Sequence, residues 1–497
     1  MGRKLSYIPS TRLVAQKGGL ALAFAIGCEL NVHVAQATVG TPAITEQLST
    51  DPLAETYAFA TNTGVNGAGT WEMVTLSNTA SNKLWGYLTW GCTNNNYSSW
   101  RTNLRFQAGN SWGDPTGGYS SVDGMTFATQ VEQFWDTRKN GGAGGWGYEG
   151  LRLYWVANPC PASGTPSWST TSWLLVPQNG GSPIVDHPAF VYDPVYNKKY
   201  IVYTESVPGL GGYWGLAVGM LNPDLSLSLW HDHTCSNAPA SPLAPQATVD
   251  PGGSIHIVYL DQSNPPVIRH ETFEANGNGF ACQNALVGPY VWPGQNCTTN
   301  ACTTCNNANP PVCTKEQSYG GIGNGCVRAN PSVSIAIDSS GSGNTLIAYS
   351  SYNSGTGPCV GKPGSGTRLY YSSGADSSFT YYGETCGNFI FPRVAAASAP
   401  GAPKVAGLFH LATSVGVGTA GALNLQELDW SSSTGLANWN LRGWLSNPYA
   451  VPIPGQCYAG DYQGIASDMI HNKFFSSWGQ APSSGVPWVI EGNTDDK

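Results

Sequence analysis

Short apolar segments, separated by clusters of glycine, asparagine, serine and proline, run along nearly the whole chain. These segments are rich in β-branched and aromatic residues, and the 3.6-residue period of an amphipathic helix is almost absent. The pattern predicts an all-β protein with many short strands. The composition agrees, because 62 Gly, 18 Trp and 24 Tyr residues suit tight turns and aromatic-rich strands.

One pattern recurs along the chain. It starts with Pro or a polar pair, continues as a short apolar strand, turns at Asp or Gly, and returns as a second strand that ends in Tyr or Trp. The clearest copies lie at 187–205, 245–261, 330–351, 392–412 and 461–478, with a weaker early copy at 71–90. Successive turn residues are 57, 88, 60 and 70 residues apart, at Asp193, Asp250, Asp338, Ser398 and Asp468. A period of this size leaves room for two more strands and fits one four-stranded propeller blade.

We therefore predict a six- or seven-bladed β-propeller of four-stranded blades, formed as a single domain by residues 38–497. The alternative is a pair of β-sandwich domains. No linker-like change in composition divides the chain, which favours the propeller.

The first 37 residues have the features of an export signal. A basic start precedes a ten-residue apolar core at 18–27, and Ala35-Gln36-Ala37 forms a small-x-small cleavage site. We expect a secreted protein, extracellular or periplasmic. Anchoring as a lipoprotein through Cys28 is the minor alternative.

Cysteine usage also indicates export. Of 13 Cys residues, only Cys28 lies in the leader, and an even set of 12 in an exported chain predicts disulfides. Six of them fall in residues 282–326, which we interpret as a disulfide-rich loop insert. The Cys302-x-x-Cys305 pair leaves half of a zinc site as the weaker alternative.

Charge limits the choice of partner. Removing the leader takes away four basic residues and one acid, so the formal charge changes from -8 to -11. The remaining Lys and Arg residues are scattered, which argues against nucleic acid, and no later stretch is long enough to span a membrane. We expect a monomer.

The repeat also predicts where a site would lie. In a propeller, residues just before the innermost strand of each blade surround one mouth of the central channel. Gly460 and Gly464 would let the backbone turn sharply into the last inner strand. The residues at such positions are Asp186, His187, Gln246, Arg328, Asn330, Arg393, Asp461 and Tyr462. For Asp461 and Tyr462, a turn cap and packing between blades are the structural alternatives.

An eroded motif accompanies the repeat. Ser121-Val122-Asp123-Gly124-Met125-Thr126-Phe127 is one residue short of an Asp-box, and segments 370–379 and 433–439 keep only its outline. With the repeat layout, these segments resemble the sialidase-like superfamily of β-propellers. In that family, the boxes are fold staples on blade turns.

The resemblance implies roles for several mouth residues. Sialidases bind a carboxylated sugar with three Arg, attack it with a Tyr, and use an Asp as acid/base. By this likeness Tyr462 would be the nucleophile, Asp186 the acid/base, and Arg328 and Arg393 two of the three Arg. Arg152 or Arg269 would supply the third.

Two functions of different classes follow. One is an exported carbohydrate-active enzyme, a glycoside hydrolase or a lyase, acting on an acidic glycan. Asp186, Asp461 and Tyr462 would be catalytic, and Arg328, Arg393 and His187 would bind substrate. The other is a noncatalytic, lectin-like propeller that binds a glycan or a surface protein.

The expected partner is an extracellular glycan or glycoconjugate. No cofactor is expected, and a structural calcium ion held by Asp side chains and carbonyls is left open.

Overall fold

Every regular element in the described part of the computed structural model is a β-strand, which confirms the all-β prediction. The structure describes residues 111–136, 145–161, 163–170, 185–206, 214–231, 242–273 and 282–291 as continuous segments, and elsewhere the strands named below with a few neighbouring residues. The predicted leader, residues 1–37, lies outside this set. No described segment is a helix long and apolar enough to cross a membrane.

The first three large sheets follow the chain, each antiparallel and in sequence order. The first contains β2 (Leu53–Ala60), β3 (Met73–Thr79), β4 (Leu88–Thr93) and β5 (Arg101–Arg105). The second contains β6 (Ser111–Ser120), β7 (Met125–Asp136), β8 (Gly145–Val156) and β9 (Ser169–Thr170). The third contains β10 (Val185–Asp193), β11 (Lys198–Ser206), β12 (Trp214–Leu221) and β13 (Leu227–His231).

The next three sheets repeat the same order. The fourth contains β14 (Pro242–Val249), β15 (Ile255–Asp261), β16 (Val267–Phe273) and β17 (Cys282–Pro289). A two-stranded hairpin follows, β18 (Thr303–Cys305) with β19 (Cys313–Lys315). The fifth contains β20 (Val333–Ile337), β21 (Asn344–Asn353), β22 (Gly364–Ser373) and β23 (Thr380–Glu384). The sixth contains β24 (Asn388–Ala397), β25 (Val405–Ser414), β26 (Gly421–Ser431) and β27 (Asn440–Trp444), with β28 (Tyr449–Val451) also on β26.

The last large sheet joins both ends of the described chain. It contains β29 (Gly464–Asp468), β30 (Lys473–Gln480) and β31 (Val489–Asp496). Its fourth strand is β1 (Ile44–Gln47), which pairs with β31 so that Ile44 lies opposite Thr494. Hydrogen bonds between the first and last described strands therefore close the fold.

The first strands of successive sheets form a ring. Contacts join β2 to β6, β6 to β10, β10 to β14, β14 to β20, β20 to β24, β24 to β29, and β29 back to β2. Sheets arranged in this way around one axis are the blades of a propeller. The propeller prediction is confirmed, because two separate sandwiches would not produce a closed ring of first strands.

The core lies between neighbouring sheets. Successive strand residues point to opposite faces, and β11 shows the result. Ile201 and Tyr203 pack with Phe127 of the second sheet, whereas Val202 packs with Ile257 of the fourth. Both faces of β11 are buried at its centre, which explains the continuous apolar run at 200–203.

The early repeat copy at 71–90 was placed in the wrong position within its sheet. Its two strands are β3 and β4, the second and third strands, and the first strand is β2. Two apolar segments joined by a short polar turn mark any adjacent antiparallel pair, so the pattern alone does not identify the inner pair.

One disulfide has both partners described. Cys92 of β4 is bonded to Cys160, which follows β8, and so links the first two sheets. Cys359 is also disulfide-bonded. The Cys-rich stretch begins as a sheet strand, since Cys282 is the first residue of β17. The side chains of Cys282, Cys297, Cys302, Cys305, Cys313 and Cys326 lie outside the described set, and their bridges stay a prediction.

Candidate functional site

A bulge at the same place in several first strands builds one mouth of the channel. The pairing register shifts between Gly113 and Thr116 in β6, between Asp186 and Ala189 in β10, and at the equivalent points of β2, β14 and β24. In four of these strands a proline lies within the shift, at Pro115, Pro188, Pro245 and Pro392. Proline has no N–H for the ladder, so it favours a bulge there.

The residue before the proline has an unusual backbone conformation. Asp114, His187 and Ala244 have φ values of 55°, 53° and 51°, in the left-handed region that non-glycine residues rarely adopt. Three successive first strands therefore share one local conformation with different side chains. A bulge re-aims side chains relative to the pleat, which turns these positions into a set that can form a site.

Two of these side chains, those of Asp114 and His187, meet the side chain of Asp186 between the second and third sheets. His187 Nδ1 lies 3.6 Å from Asp114 Oδ2, and His187 Nε2 lies 3.3 Å from Asp186 Oδ2. The backbone N–H of His187 donates to both carboxylates, at 3.0 Å each. The imidazole is thus held between two acids, of which one comes from the neighbouring sheet.

The three side chains differ in exposure. The side chains of His187 and Asp114 are 7% and 12% exposed, whereas that of Asp186 is 34% exposed and so lies nearest to solvent. A histidine between carboxylates can accept and return a proton. One oxygen or nitrogen atom from each residue lies within 4.8 Å of the others, so the three could also hold a divalent cation.

A second cluster lies in the same ring of strands. Arg393 of β24 is 6% exposed and donates from Nη1 to the carbonyl of Val333 at 2.7 Å. Burial lowers the pKa of Arg393 to about 10, and nearby Tyr57 of β2 partly offsets this. Burial also raises the pKa of Tyr57, against a hydrogen bond with the Thr116 side chain and the charge of Arg393.

Thr116 connects the two clusters. It lies two residues after Asp114 on β6, and its Oγ1 accepts a hydrogen bond from the Phe190 N–H at 3.0 Å. Phe190 follows His187 by three residues on β10. The two clusters therefore share β6, and they bring together side chains from four first strands.

The predicted mouth residues have different outcomes. Asp186 and His187 are in contact, and Gln246 and Arg393 lie at the equivalent bulges of β14 and β24. Arg328, Asn330, Asp461 and Tyr462 lie outside the described residues. Sequence reasoning missed Asp114 and Tyr57.

The two candidates for the third arginine are paired with acids on their own sheets. Arg152 Nε lies 3.2 Å from Glu132 Oε2, and Arg269 Nε lies 2.5 Å from Asp261 Oδ2. Burial raises the pKa of Glu132, although Tyr154, Arg152 and Gln130 counteract this. These arginines form ion pairs with buried carboxylates on the sheet faces.

The Asp-box-like segment lies at the opposite end of β6 from Asp114, in the turn to β7. Ser120 Oγ donates to Asp123 Oδ2 at 2.6 Å, and Lys199 of the third sheet lies 2.5 Å from the same oxygen. This turn therefore ties two sheets together, which agrees with the role of a fold staple.

No protein-family model and no curated protein sequence matches the chain. Similar solved structures include the polysaccharide lyase Uly1, with a TM-score of 0.50 and 6% identity, covering 92% of this chain and 99% of that one. They also include a Trypanosoma rangeli sialidase in complex with the inhibitor DANA, with a TM-score of 0.42, 11% identity and 79% of this chain covered. The chain spans 56% of that sialidase.

A third similar structure is an α-L-arabinanase from Penicillium chrysogenum complexed with arabinobiose, with a TM-score of 0.39 and 10% identity. It is covered over 92% of its length, and this chain over 77%. The similar structures also include an intramolecular trans-sialidase from Ruminococcus gnavus in complex with oseltamivir carboxylate, so sialidase-type proteins are among them, as the sequence resemblance predicted. Identities this low show the fold alone.

Proposed function

We propose that the protein is a carbohydrate-active enzyme that breaks a glycosidic bond of an acidic glycan at this mouth of the propeller. The observation that carries the proposal is the contact of His187 with Asp114 and Asp186, at bulges where neighbouring sheets contribute different side chains. Asp186 is the most exposed of the three and is the group that exchanges a proton with substrate. His187 supplies or accepts that proton, and Asp114 holds the imidazole in place.

Residues outside the described set complete this proposal. Asp461 and Tyr462 precede Gly464 by three and two residues, as Asp186 and His187 precede Ala189. Gly464 is the first residue of β29 to pair with β30, and Ala189 is the first residue of β10 to pair with β11 after the register shift. The repeat thus supports placing Asp461 and Tyr462 at the same mouth, as a second acid and a nucleophile or base.

The acidic substrate is proposed on the basis of Arg393. A guanidinium of low exposure attracts a carboxylate or sulfate, and arginine binds either one through paired hydrogen bonds. Arg328 would add a second positive charge. We further propose an exported, monomeric protein acting on an extracellular glycan.

The test is turnover of a glycan panel that contains uronate-rich, sialylated and neutral polysaccharides. New reducing ends without ultraviolet absorbance indicate hydrolysis, and an unsaturated uronate product indicates elimination. His187→Gln and Asp186→Asn should each lower turnover about 100-fold or more, because both remove a proton-transfer group. Asp224→Asn, on an exposed turn between β12 and β13, is the matched control and should leave turnover unchanged.

Three results contradict the proposal or a part of it. Unchanged turnover in both site variants, with unfolding midpoints equal to that of wild type, would remove these residues from the chemistry. Glycan binding without turnover of any panel member would instead support the lectin-like alternative. Turnover of neutral glycans alone would remove the proposed role of Arg393.

A further inference from the structure

Two buried histidines form a direct pair between the fourth and fifth sheets. His256 of β15 and His270 of β16 are each 1% exposed. His256 Nδ1 lies 3.1 Å from His270 Nε2. The His270 ring also meets the edge of Phe379 of the fifth sheet, with ring centres 5.0 Å apart. The pair is therefore packed inside an interface between blades.

The pair is linked to the surface by a carboxylate. His256 Nε2 lies 3.3 Å from Asp250 Oδ2, in the turn between β14 and β15. The other oxygen, Asp250 Oδ1, accepts backbone N–H bonds from Gly252 and Ser254 at 2.9 and 2.7 Å. Burial acts to raise the pKa of Asp250, but the bonds from His256 and Ser254 hold it below its ordinary value.

We propose that Asp250, His256 and His270 form a pH-sensitive latch within the fourth sheet, on the face that packs against the fifth, which stabilises the fold at neutral pH and loosens in acid. A hydrogen bond between two ring nitrogens needs a proton on one and a lone pair on the other. One added proton leaves this bond intact. When both rings are imidazolium, two N–H groups face each other across 3.1 Å, and two positive charges share a buried site.

The surroundings define which charges act on the pair. Thr248 of β14 and Thr272 of β16 lie opposite His256 in register, and Ala285 of β17 lies opposite His270. The neighbours Arg269 and Glu271 point to the other face of the sheet, where Glu271 accepts from Tyr259.

The fifth sheet adds titratable groups to the same interface, namely Tyr370 and the Arg368–Glu384 pair. Arg368 also donates to the Pro289 carbonyl of the fourth sheet. Asp193 of the third sheet interacts electrostatically with Asp250. Asp250 contacts His256 directly, and its single negative charge can balance one added proton on the pair but not two.

The sign of the pH dependence follows from counting protons. In the unfolded chain each histidine titrates independently near pH 6.5 and binds one proton in acid, two in all. The folded pair with its bond intact binds one. Below about pH 6.5 the unfolded chain therefore holds about one more proton, and its population relative to the folded chain rises about tenfold per pH unit. The stabilisation is present above this pH and is lost as the pH falls.

The test compares the full chain with His270→Gln and Asp250→Asn in urea unfolding between about pH 5 and 7.5. The Gln side chain can still donate to His256 Nδ1 but does not titrate, so its pH slope should be shallower than wild type by about one proton. Asp250→Asn removes the charge that favours the first proton, so its slope should be steeper. Hydrogen exchange of the wild type, corrected for the intrinsic exchange rate at each pH, should show lower protection of β15 and β16 amides at pH 5 than at pH 7.

Equal slopes for wild type and His270→Gln overturn the proposal. If His270→Gln does not fold, the test rests on Asp250→Asn. A pH slope of its unfolding free energy equal to or shallower than that of wild type also overturns the proposal. The latch does not depend on the proposed catalytic activity, and these measurements contain no turnover step. Failure of one proposal therefore leaves the other standing.

Discussion

Replacing Gly464 with alanine tests how the last sheet closes against the first. A Cβ placed on Gly464 would lie 2.7 Å from the backbone nitrogen of Ala58 and 3.0 Å from the backbone carbon of Tyr57, both in β2. It would also press on the Oγ of Ser477 in β30. Real Cβ atoms do not approach backbone atoms this closely, so β2 or β29 must move.

The expected loss of stability follows from the atoms involved. A side-chain end can rotate away at little cost, but the Ala58 nitrogen belongs to the ring of first strands. Forcing an extra methyl group into a packed position costs about 1–3 kcal/mol, and contact with backbone favours the upper part of that range. Because Tyr57 is displaced with β2, its hydrogen bond with Thr116 and its electrostatic interaction with Arg393 should be disturbed as well.

Urea unfolding at pH 7 provides the measurement. Gly383→Ala is the matched control, since a Cβ there meets nothing within 4 Å, and it should change stability by less than about 0.5 kcal/mol. Adding Ser477→Ala to Gly464→Ala should recover only part of the loss, because the backbone contact remains. A Gly464→Ala protein as stable as wild type, or one fully rescued by Ser477→Ala, would refute the proposed closure.

Three further changes test other parts of the fold. Cys92 and Cys160 are 68 residues apart, and removing their disulfide with Cys92→Ala and Cys160→Ala should lower the free energy of unfolding by about 4 kcal/mol in the chain-entropy model. A loss under about 1 kcal/mol in denaturant unfolding would contradict this. Tyr259→Phe removes the hydroxyl that donates to buried Glu271 at 2.7 Å and should cost about 1.5–3 kcal/mol, whereas Tyr192→Phe, whose hydroxyl bonds are longer, should cost less than about 1 kcal/mol. Asp123→Asn removes a carboxylate whose pKa is lowered by Lys199 and Ser120 against the opposing effect of burial. Thermal unfolding should therefore show a loss of stability at pH 7 that shrinks as the pH falls below about 4. A loss of stability that does not depend on pH would contradict this.

The repeat was predictable from the sequence because each of its turns is determined by a few adjacent residues. Asp193, Asp250 and Asp468 mark turns between first and second strands, as the spacing of the pattern predicted. Such turns need residues whose carboxylates accept nearby backbone N–H groups, and Asp193 does this for Val195 and Tyr196. A feature set by four or five adjacent residues leaves a signal in the sequence.

Asp114 was missed although its signal was present. Asp114-Pro115 occupies the same place in β6 as His187-Pro188 in β10 and Ala244-Pro245 in β14. The strand after it, with Gly117 and Gly118, is less apolar than the other copies, so the apolar pattern did not find it. Aligning the residue-proline pairs would have found it.

Tyr57 could not be found in this way, because its partners depend on closure of the ring. Its electrostatic interaction with Arg393 links the first sheet to the sixth, and its hydrogen bond with Thr116 joins the first sheet to the second. No local sequence pattern specifies which sheets become neighbours after closure. That information lies in the number and twist of the sheets together, which short segments do not encode.

The ring also bears on the choice between an enzyme and a lectin. A lectin built from repeats would present the same side chains at each equivalent position, so that several like pockets bind like sugars. Here the bulge residue keeps one backbone conformation in three successive strands while its side chain changes from carboxylate to imidazole to methyl, at Asp114, His187 and Ala244. A conserved backbone with changing side chains produces one asymmetric mouth, in which a proton donor, a proton acceptor and an open position are neighbours. Cleavage of a glycosidic bond needs unlike groups on its two sides, and this asymmetry is why we favour catalysis.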